Sequence, residues 1–148
     1  MHIRDQRDMV VEEARSWIGT PYHHHAAVRG AGVDCGMLLV EVYSSTGLIE
    51  RFDPGPYPPD WHMHRSEERY LTLVMERARP VTSPLPGDIV MLRYGRAFSH
   101  GGIVTKSNPL TAVHAFYRYG KVVEEDWTMS MELRLRLSGA IFASLWSE

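Results

Sequence analysis

The sequence predicts an α+β fold in which helices from the N-terminal half pack on an antiparallel β-sheet built from the C-terminal half. Apolar residues recur at three- and four-residue intervals before "PLPG" (84–87), and short β-rich runs follow it. Strands do not alternate with helices, so a parallel sheet is not expected. The chain has 148 residues, 44% of them hydrophobic, which suits one core. We therefore assign residues 1–148 to a single domain.

Three helices are predicted in the N-terminal half. The first covers 5–18, where an apolar stripe stops at Gly19 and Pro21. The second begins after Asp34, a good N-cap residue, and ends near Gly47. The third is "SEERYLTLVMERAR" (66–79), with Ser66 as its cap. Between the second and third, "FDPGPYPPDW" (52–61) is too rich in proline for regular structure.

Five β-rich runs follow, separated by Gly, Asn and Pro. We expect a hairpin turn around Gly120 in "YRYGKV". The runs are "DIVMLRY", "HGGIVTK", "TAVHAFY", "KVVEED" and "GAIFASLW".

Composition argues against several classes of function. Sixteen Lys and Arg against eighteen Asp and Glu give a net charge of −2, so no strong field would attract nucleic acid or anionic lipid. No run is long and apolar enough to span a membrane. A single cysteine and a charged N-terminus without the apolar core of a signal peptide predict synthesis in a reducing cytoplasm. A role outside the cell would then need another means of delivery.

Cys35, the only cysteine, falls in the first turn of the second predicted helix. A thiol attacks as the thiolate, and the unpaired N–H groups and dipole of a helix N-terminus favour the anion. The same N–H groups suit an oxyanion, and Gly36 leaves the approach open. Against this, a free cysteine is often a small buried core residue. Cys35 is thus a candidate nucleophile that still needs a base.

Two histidines are candidates for that base. His100 stands at the start of a predicted strand, between Ser99 and a glycine pair that leaves room beside the ring. His114 lies fourteen residues on, inside the next strand. If the strands are antiparallel neighbours joined at "KSNPL", the rings lie side by side and the second orients the first. Taken singly, each is more often a structural histidine.

Five short motifs occur in an order that resembles the NlpC family of papain-like cell-wall cysteine peptidases. They are "GTPY", "DC" opening a helix, "PGDIV", "SHGGIV" and "VHAF". The resemblance spans roughly residues 10–146. The segment "PYPPDWHMHRSEERYL" (56–71) resembles the branch encoded in phage and prophage tail gene clusters.

The resemblance implies a papain-like NlpC fold and a Cys-His-His triad. Cys35 is then the nucleophile, His100 the general base and His114 the orienting member. The implied substrate is a peptidoglycan stem peptide, commonly cut between D-glutamate and the diamino acid, and no cofactor or metal is implied. The implied setting is a phage or prophage tail acting at the cell wall, with tail proteins as partners.

Four other residues are implied in the oxyanion and substrate site. Tyr22 supplies a second donor to the oxyanion, and Asp34, Gly36 and Ser99 flank the reacting groups. The sequence departs from the family pattern twice. Gly36 and Met37 stand where Ser-Gly is usual, and "HHHAAV" (23–28) replaces a loop that commonly reads Trp-Gly-Gly.

Two alternatives remain open at this level. One is a catalytically idle structural component of a phage tail with the same fold. The other keeps the catalytic groups but acts on another amide, an ester or an acyl transfer. Rapid alkylation of Cys35 by iodoacetamide near neutral pH is expected of a paired thiolate, and slow alkylation of a buried structural thiol.

Other conspicuous residues receive plainer interpretations. The run His23–His25, with His62 and His64, suggests a metal site, but consecutive loop residues rarely converge on one ion, so we predict none. One of the three is expected to line the cleft beside Tyr22. Trp61 forms a cleft wall or packs on the core. The methionines, such as Met75 and Met91, are read as core filler, and residues 124–126 as a solvated strand end.

Overall fold

The computed structural model describes residues 2–55, 69–95 and 97–147, and it confirms the α+β class. Within these residues four helices and one 3-10 turn accompany a two-stranded hairpin and a six-stranded sheet. The helices are α1 (Ile3–Arg15), α2 (Cys35–Ser45), α3 (Arg69–Met75) and α4 (Met131–Arg136), with the 3-10 turn at Leu137–Gly139. The strands are β1 (Ala27–Val28), β2 (Gly32–Val33), β3 (Arg79–Val81), β4 (Ile89–Tyr94), β5 (Ala97–Lys106), β6 (Thr111–Phe116), β7 (Lys121–Asp126) and β8 (Ile141–Ser144).

Helix α2 is the central helix of the domain, and its start is fixed by a side-chain cap. The Asp34 carboxylate accepts a hydrogen bond from the backbone N–H of Met37 at 2.9 Å, as the sequence predicts for an N-cap. Gly47, with φ +79°, follows the last turn. Because α2 is apolar on nearly every side, it is buried between α1 and the sheet.

The large sheet is antiparallel throughout, in the order β3-β8-β4-β5-β6-β7. The predicted hairpin between β6 and β7 is confirmed, with Gly120 at φ +70° in its turn. Strands β5 and β6 are neighbours, with Ile103 opposite Val113. This places the two candidate histidines on adjacent strands, as expected.

The two faces of the sheet bury separate apolar clusters. In β4, Ile89 and Met91 point toward α1 and α2, whereas Val90 and Leu92 point to the opposite face. That second face is covered by Trp127 and the segment containing α4. The alternation follows from the two-residue period of a strand. Since both faces are covered, the middle strands β4 and β5 are buried in nearly every position.

The structure departs from the sequence-based elements in three places. The third helix was predicted to reach Arg79, but α3 stops at Met75 and Arg79 begins β3 beside β8. Pro80 explains this, because the residue before a proline is driven toward extended conformations. The β1–β2 hairpin was expected to be loop, and α4 was not predicted. Part of the predicted third helix, 66–68, lies outside the described residues.

Among the residues that the structure describes, no helix is long and apolar enough to cross a membrane.

Gly102 tests how tightly β5 and β6 are packed. A Cβ at Gly102 would lie 2.9 Å from the carbonyl oxygen of Val113 and 3.0 Å from the Cβ of His114. We expect Gly102→Ala to lower the free energy of unfolding by about 1–3 kcal/mol, because a backbone atom cannot move aside cheaply. Urea denaturation measures this. Gly139→Ala is the control, since nothing lies within 4 Å of its Cβ position, and equal effects in both variants would refute the packing argument.

Candidate active site

Cys35 is the first residue of α2, and its thiol lies against strand β5. The Sγ atom donates to the backbone carbonyl of Ser99 at 3.5 Å, and only 6% of the residue is exposed. Within the described residues the thiol bonds to this carbonyl, next to His100, and not to the His100 ring. The backbone N–H of Gly101, on the other side of His100, also acts on the sulfur. Cys35 therefore faces the backbone on both sides of the candidate base.

Burial raises the pKa of Cys35 well above its ordinary value, and the negative charge of Asp34 adds to this. The backbone N–H groups of Gly101, Gly36 and Cys35 itself act in the opposite direction but do not offset the burial. The start of α2, which was predicted to favour the anion, therefore does not by itself make Cys35 a thiolate. Desolvation of a buried anion outweighs the partial charge of the helix end, so the resting group is a neutral thiol.

His100 and His114 meet across β5 and β6. The Nε2 atom of His100 lies 2.8 Å from Nδ1 of His114, and the ring centroids are 5.0 Å apart. His100 is the fourth residue of β5 and not its first, because the strand begins at Ala97. A bulge precedes it: Leu92 of β4 pairs with His100 and the next residue pairs with Phe98, so Ser99 is extra. Bulges of this kind re-aim side chains beside active sites.

Aromatic rings enclose both imidazoles. Trp127 stacks on His100 with centroids 5.8 Å apart, and Phe116 lies 5.0 Å from His100 and 5.1 Å from His114. His114 is fully buried. The missing side chain of Gly102 leaves the room that His114 and Trp127 occupy. Two polar rings are thus held in a nearly dry pocket, which fixes their orientation.

Glu125 continues the chain of polar groups beyond His114. Its Oε2 atom lies 2.8 Å from Nε2 of His114, and the hydroxyl of Tyr119 donates to its Oε1 atom at 3.0 Å. The sequence-based reading of Glu125 as a solvated strand end is wrong, since only 23% of its side chain is exposed. The register of the hairpin carries the signal: His114 pairs with Val123, so Glu125 is its diagonal neighbour on the same face.

The neighbours of Glu125 on β7 also have partners. Glu124 pairs with Arg15 of α1 at 3.0 Å, and Asp126 accepts from the backbone and hydroxyl of Thr128. None of the three carboxylates is simply solvated.

The charge state of His114 follows from the same surroundings. Burial lowers the pKa of His114, and the hydrogen bond and charge of Glu125 oppose that shift without cancelling it. His114 is therefore neutral at neutral pH.

Tyr22 is anchored near the thiol by backbone hydrogen bonds. Its N–H donates to the carbonyl of Gly120 at 2.8 Å, and it bridges to Val33 just before α2. Burial raises the pKa of Tyr22, and the negative charge of Asp34 raises it further. Its hydroxyl thus remains protonated and able to donate, as the role predicted for it requires.

Comparisons with known proteins agree on the architecture. No protein-family model matches the sequence, and no curated protein matches it significantly. Solved structures do match. The NlpC/p60 domain of the peptidoglycan hydrolase SagA superposes with a TM-score of 0.56 at 18% identity, covering 93% of this chain and 96% of that one. The chain has the NlpC/p60 fold.

Two further structures with this fold superpose more closely. The peptidoglycan hydrolase RipB from Mycobacterium tuberculosis gives a TM-score of 0.64 at 17% identity, over 98% of this chain and 67% of that one. A Staphylococcus aureus protein of the NLP/P60 family, described as similar to lipoprotein, gives 0.63 at 18% identity, over 95% of this chain. The chain spans 42% of the staphylococcal protein.

The histidine loop of this NlpC/p60 fold is tied to the start of α2. The backbone N–H of His25 donates to Asp34 at 2.7 Å, and Nδ1 of His24 lies 3.9 Å from the same carboxylate. Asp34 thus caps α2 and holds the loop. Within 2–55, 69–95 and 97–147 no three His, Cys, Asp or Glu residues are grouped to hold a metal ion.

Gly36 and Met37, which replace the usual Ser-Gly, both take part in the packing of α2. Met37 is buried in the core, and Gly36 lines an apolar cavity between α2, α3 and Phe52. Trp61, predicted to form a cleft wall or to pack on the core, lies outside the described residues, as do His62 and His64, for which no metal site was predicted.

The raised pKa of Cys35 can be tested by alkylation. The rate with iodoacetamide should be slow at pH 7 and still rising above pH 9, where a free thiol levels off, because only the thiolate reacts. Asp34→Asn should speed alkylation at pH 8, since it removes a negative charge while an asparagine still caps the helix. Asp53→Asn, at an exposed carboxylate near His25, is the matched control. A plateau below pH 8 in the unaltered protein would contradict the assignment.

Proposed function

We propose that the protein is a cysteine hydrolase that cleaves amide bonds in peptidoglycan stem peptides. One observation carries the proposal: the thiol of Cys35 lies against the backbone on either side of His100, and His100 is hydrogen bonded to His114 in an aromatic enclosure. Burying such a polar chain costs stability, and groups of this kind cluster at functional sites. Peptidoglycan as substrate is supported by the names of the SagA and RipB structures and by the five sequence motifs.

The first step joins proton transfer to attack. Because Cys35 rests as a neutral thiol, His100 takes the Sγ proton as the sulfur attacks the amide carbonyl carbon. The hydrogen bond from Sγ to Ser99 breaks at this point. The oxyanion faces the N–H groups at the start of α2, with the Tyr22 hydroxyl as a further donor.

The second half of the reaction regenerates the site. The tetrahedral intermediate collapses, the C–N bond breaks, and the imidazolium of His100 protonates the leaving amine. A water molecule then attacks the thioester with His100 as base. The products are a carboxylate and the free thiol of Cys35.

The finer parts of the proposal rest on the sequence. Cleavage between D-glutamate and the diamino acid is what the motif resemblance implies. Action at the cell wall in association with a phage or prophage tail is supported by the segment 56–71, most of which lies outside the described residues.

A second candidate is an idle structural component with the same fold. The burial of Cys35 and its raised pKa favour it, because such a thiol is inert unless a base assists. Alkylation at neutral pH does not separate the two, since a resting thiol is expected in both. Hydrolysis that depends on Cys35 does separate them.

Purified muropeptides provide the direct test. We expect the unaltered protein to release new products, which liquid chromatography and mass spectrometry detect. Cys35→Ala and His100→Ala should each lower the rate by about 10³-fold or more, because nucleophile and base act as a unit. His2→Ala, an exposed histidine at the start of α1, is the matched control and should keep full activity. Products that persist in Cys35→Ala would exclude this mechanism.

Tyr22→Phe isolates the contribution to the oxyanion. Removing the hydroxyl should lower kcat by about 10²-fold and change KM little, since the bond forms only as charge develops on the oxygen. Steady-state kinetics on the same muropeptides measures the two constants separately. Tyr117→Phe, at a half-exposed ring packed edge-on against Tyr22, is the control. A rise in KM with unchanged kcat would assign Tyr22 to substrate binding instead.

A further inference from the structure

Beyond the two histidines, a carboxylate and a hydroxyl extend the polar chain to the surface. It runs from His100 through His114 to Glu125 and ends at the hydroxyl of Tyr119, with contacts of 2.8, 2.8 and 3.0 Å. We propose that Glu125 is a positioning residue that selects the tautomer of His114 and, through it, the ring nitrogen of His100 that accepts the proton. The catalytic consequence rests on the proposed function, whereas the tautomer assignment does not.

The carboxylate of Glu125, at one end of the hydrogen-bonded chain, decides which ring nitrogens donate and which accept. A carboxylate only accepts, so the 2.8 Å contact with Glu125 requires a proton on Nε2 of His114. A neutral His114 then has no proton on Nδ1, so this atom must accept a hydrogen bond from Nε2–H of His100. A neutral His100 with its proton on Nε2 carries no proton on Nδ1. Glu125 thereby leaves the nitrogen of His100 outside the chain as the base.

The reverse arrangement would disable the site. If His114 were charged, both of its nitrogens would donate, and Nε2 of His100 would have to accept. The proton of His100 would then sit on Nδ1, the atom that must take it from Cys35. Full burial of His114 disfavours that charged form.

Among the residues that the structure describes, few other titratable groups surround His114. The rings packed on it are those of His100 from β5, Tyr119 from the hairpin turn, Phe116 and Trp127. Glu125 is the carboxylate bonded to it, and the Tyr119 hydroxyl bonds to the far oxygen of that carboxylate. This second bond holds the carboxylate in the orientation that His114 needs.

Nitrogen-15 NMR of histidine-labelled protein reads the tautomers without substrate. We expect His114 in the unaltered protein to be neutral with its proton on Nε2, its signals being assigned by their loss in His114→Asn. In Glu125→Gln the amide can donate or accept, so His114 should shift toward the Nδ1-protonated form. Glu124→Gln changes the adjacent carboxylate, which bonds to Arg15, and should leave the spectrum unchanged. A proton on Nδ1 in the unaltered protein, or no change in Glu125→Gln, would overturn the inference.

Kinetics on muropeptides tests the catalytic consequence. Glu125→Gln should lower kcat/KM by about 10-fold or more, as loss of an outer partner of a functional histidine does. The acid limb of the pH profile of kcat/KM should also move in Glu125→Gln. A purely structural loss would instead lower kcat/KM equally at every pH. Tyr119→Phe keeps the carboxylate and should give a smaller loss, which covers the case that Glu125→Gln folds poorly.

The outcomes for the two proposals are distinguishable. An inactive unaltered protein overturns the hydrolase proposal, and the NMR result still decides the tautomer. An active protein whose rate and pH profile are the same in Glu125→Gln and Glu124→Gln overturns the role of Glu125 alone.

Discussion

The docking of the first turn of α2 onto the middle of β5 is the constraint on which the site depends. It brings Cys35 to the carbonyl of Ser99, across a gap of more than sixty residues in the sequence. Asp34 holds this turn from both sides, since one carboxylate oxygen caps α2 and the other holds the loop before it. Tyr22 is fixed to the same place by the hydrogen bond from its N–H to Gly120 in the β6–β7 turn. One packing contact therefore sets the candidate nucleophile and the candidate oxyanion donors, and it joins them to the strand that carries the candidate base.

Two effects on the pKa of Cys35 oppose each other, and the effect of burial is larger than that of the helix N-terminus. A helix N-terminus carries about half a positive charge, which favours a thiolate by a modest amount when partly exposed. Removing the sulfur from water penalises the anion more, and Asp34, which is needed as a cap, adds a negative charge beside it. In the proposed mechanism a neutral resting thiol makes catalysis depend on the imidazole, so the orientation of His100 becomes more important. The proposed mechanism therefore gives the buried chain of hydrogen-bonded partners the role of holding the His100 ring.

The buried chain is costly for stability, which makes its completeness informative. His100 and His114 lie among Phe116, Trp127 and Tyr94, where an unpaired polar atom would cost about 1–3 kcal/mol. Each ring nitrogen within the chain has a partner at 2.8 Å. The bulge at Ser99 and the missing side chain of Gly102 further adapt β5 to these rings. The aromatic enclosure and the strand irregularity thus serve the same geometry.

The sequence by itself determined the fold class, the start of α2 at Cys35, the adjacency of the two histidine strands and the hairpin at Gly120. These follow from short-range patterns: caps, apolar periods, turn residues and loop length. Tertiary structure alone decided that Cys35 is a neutral thiol, that Arg79 joins a strand beside β8, and that Glu125 belongs to His114. Desolvation depends on what packs around a group, and a diagonal contact depends on strand register. Neither is expressed in the order of neighbouring residues.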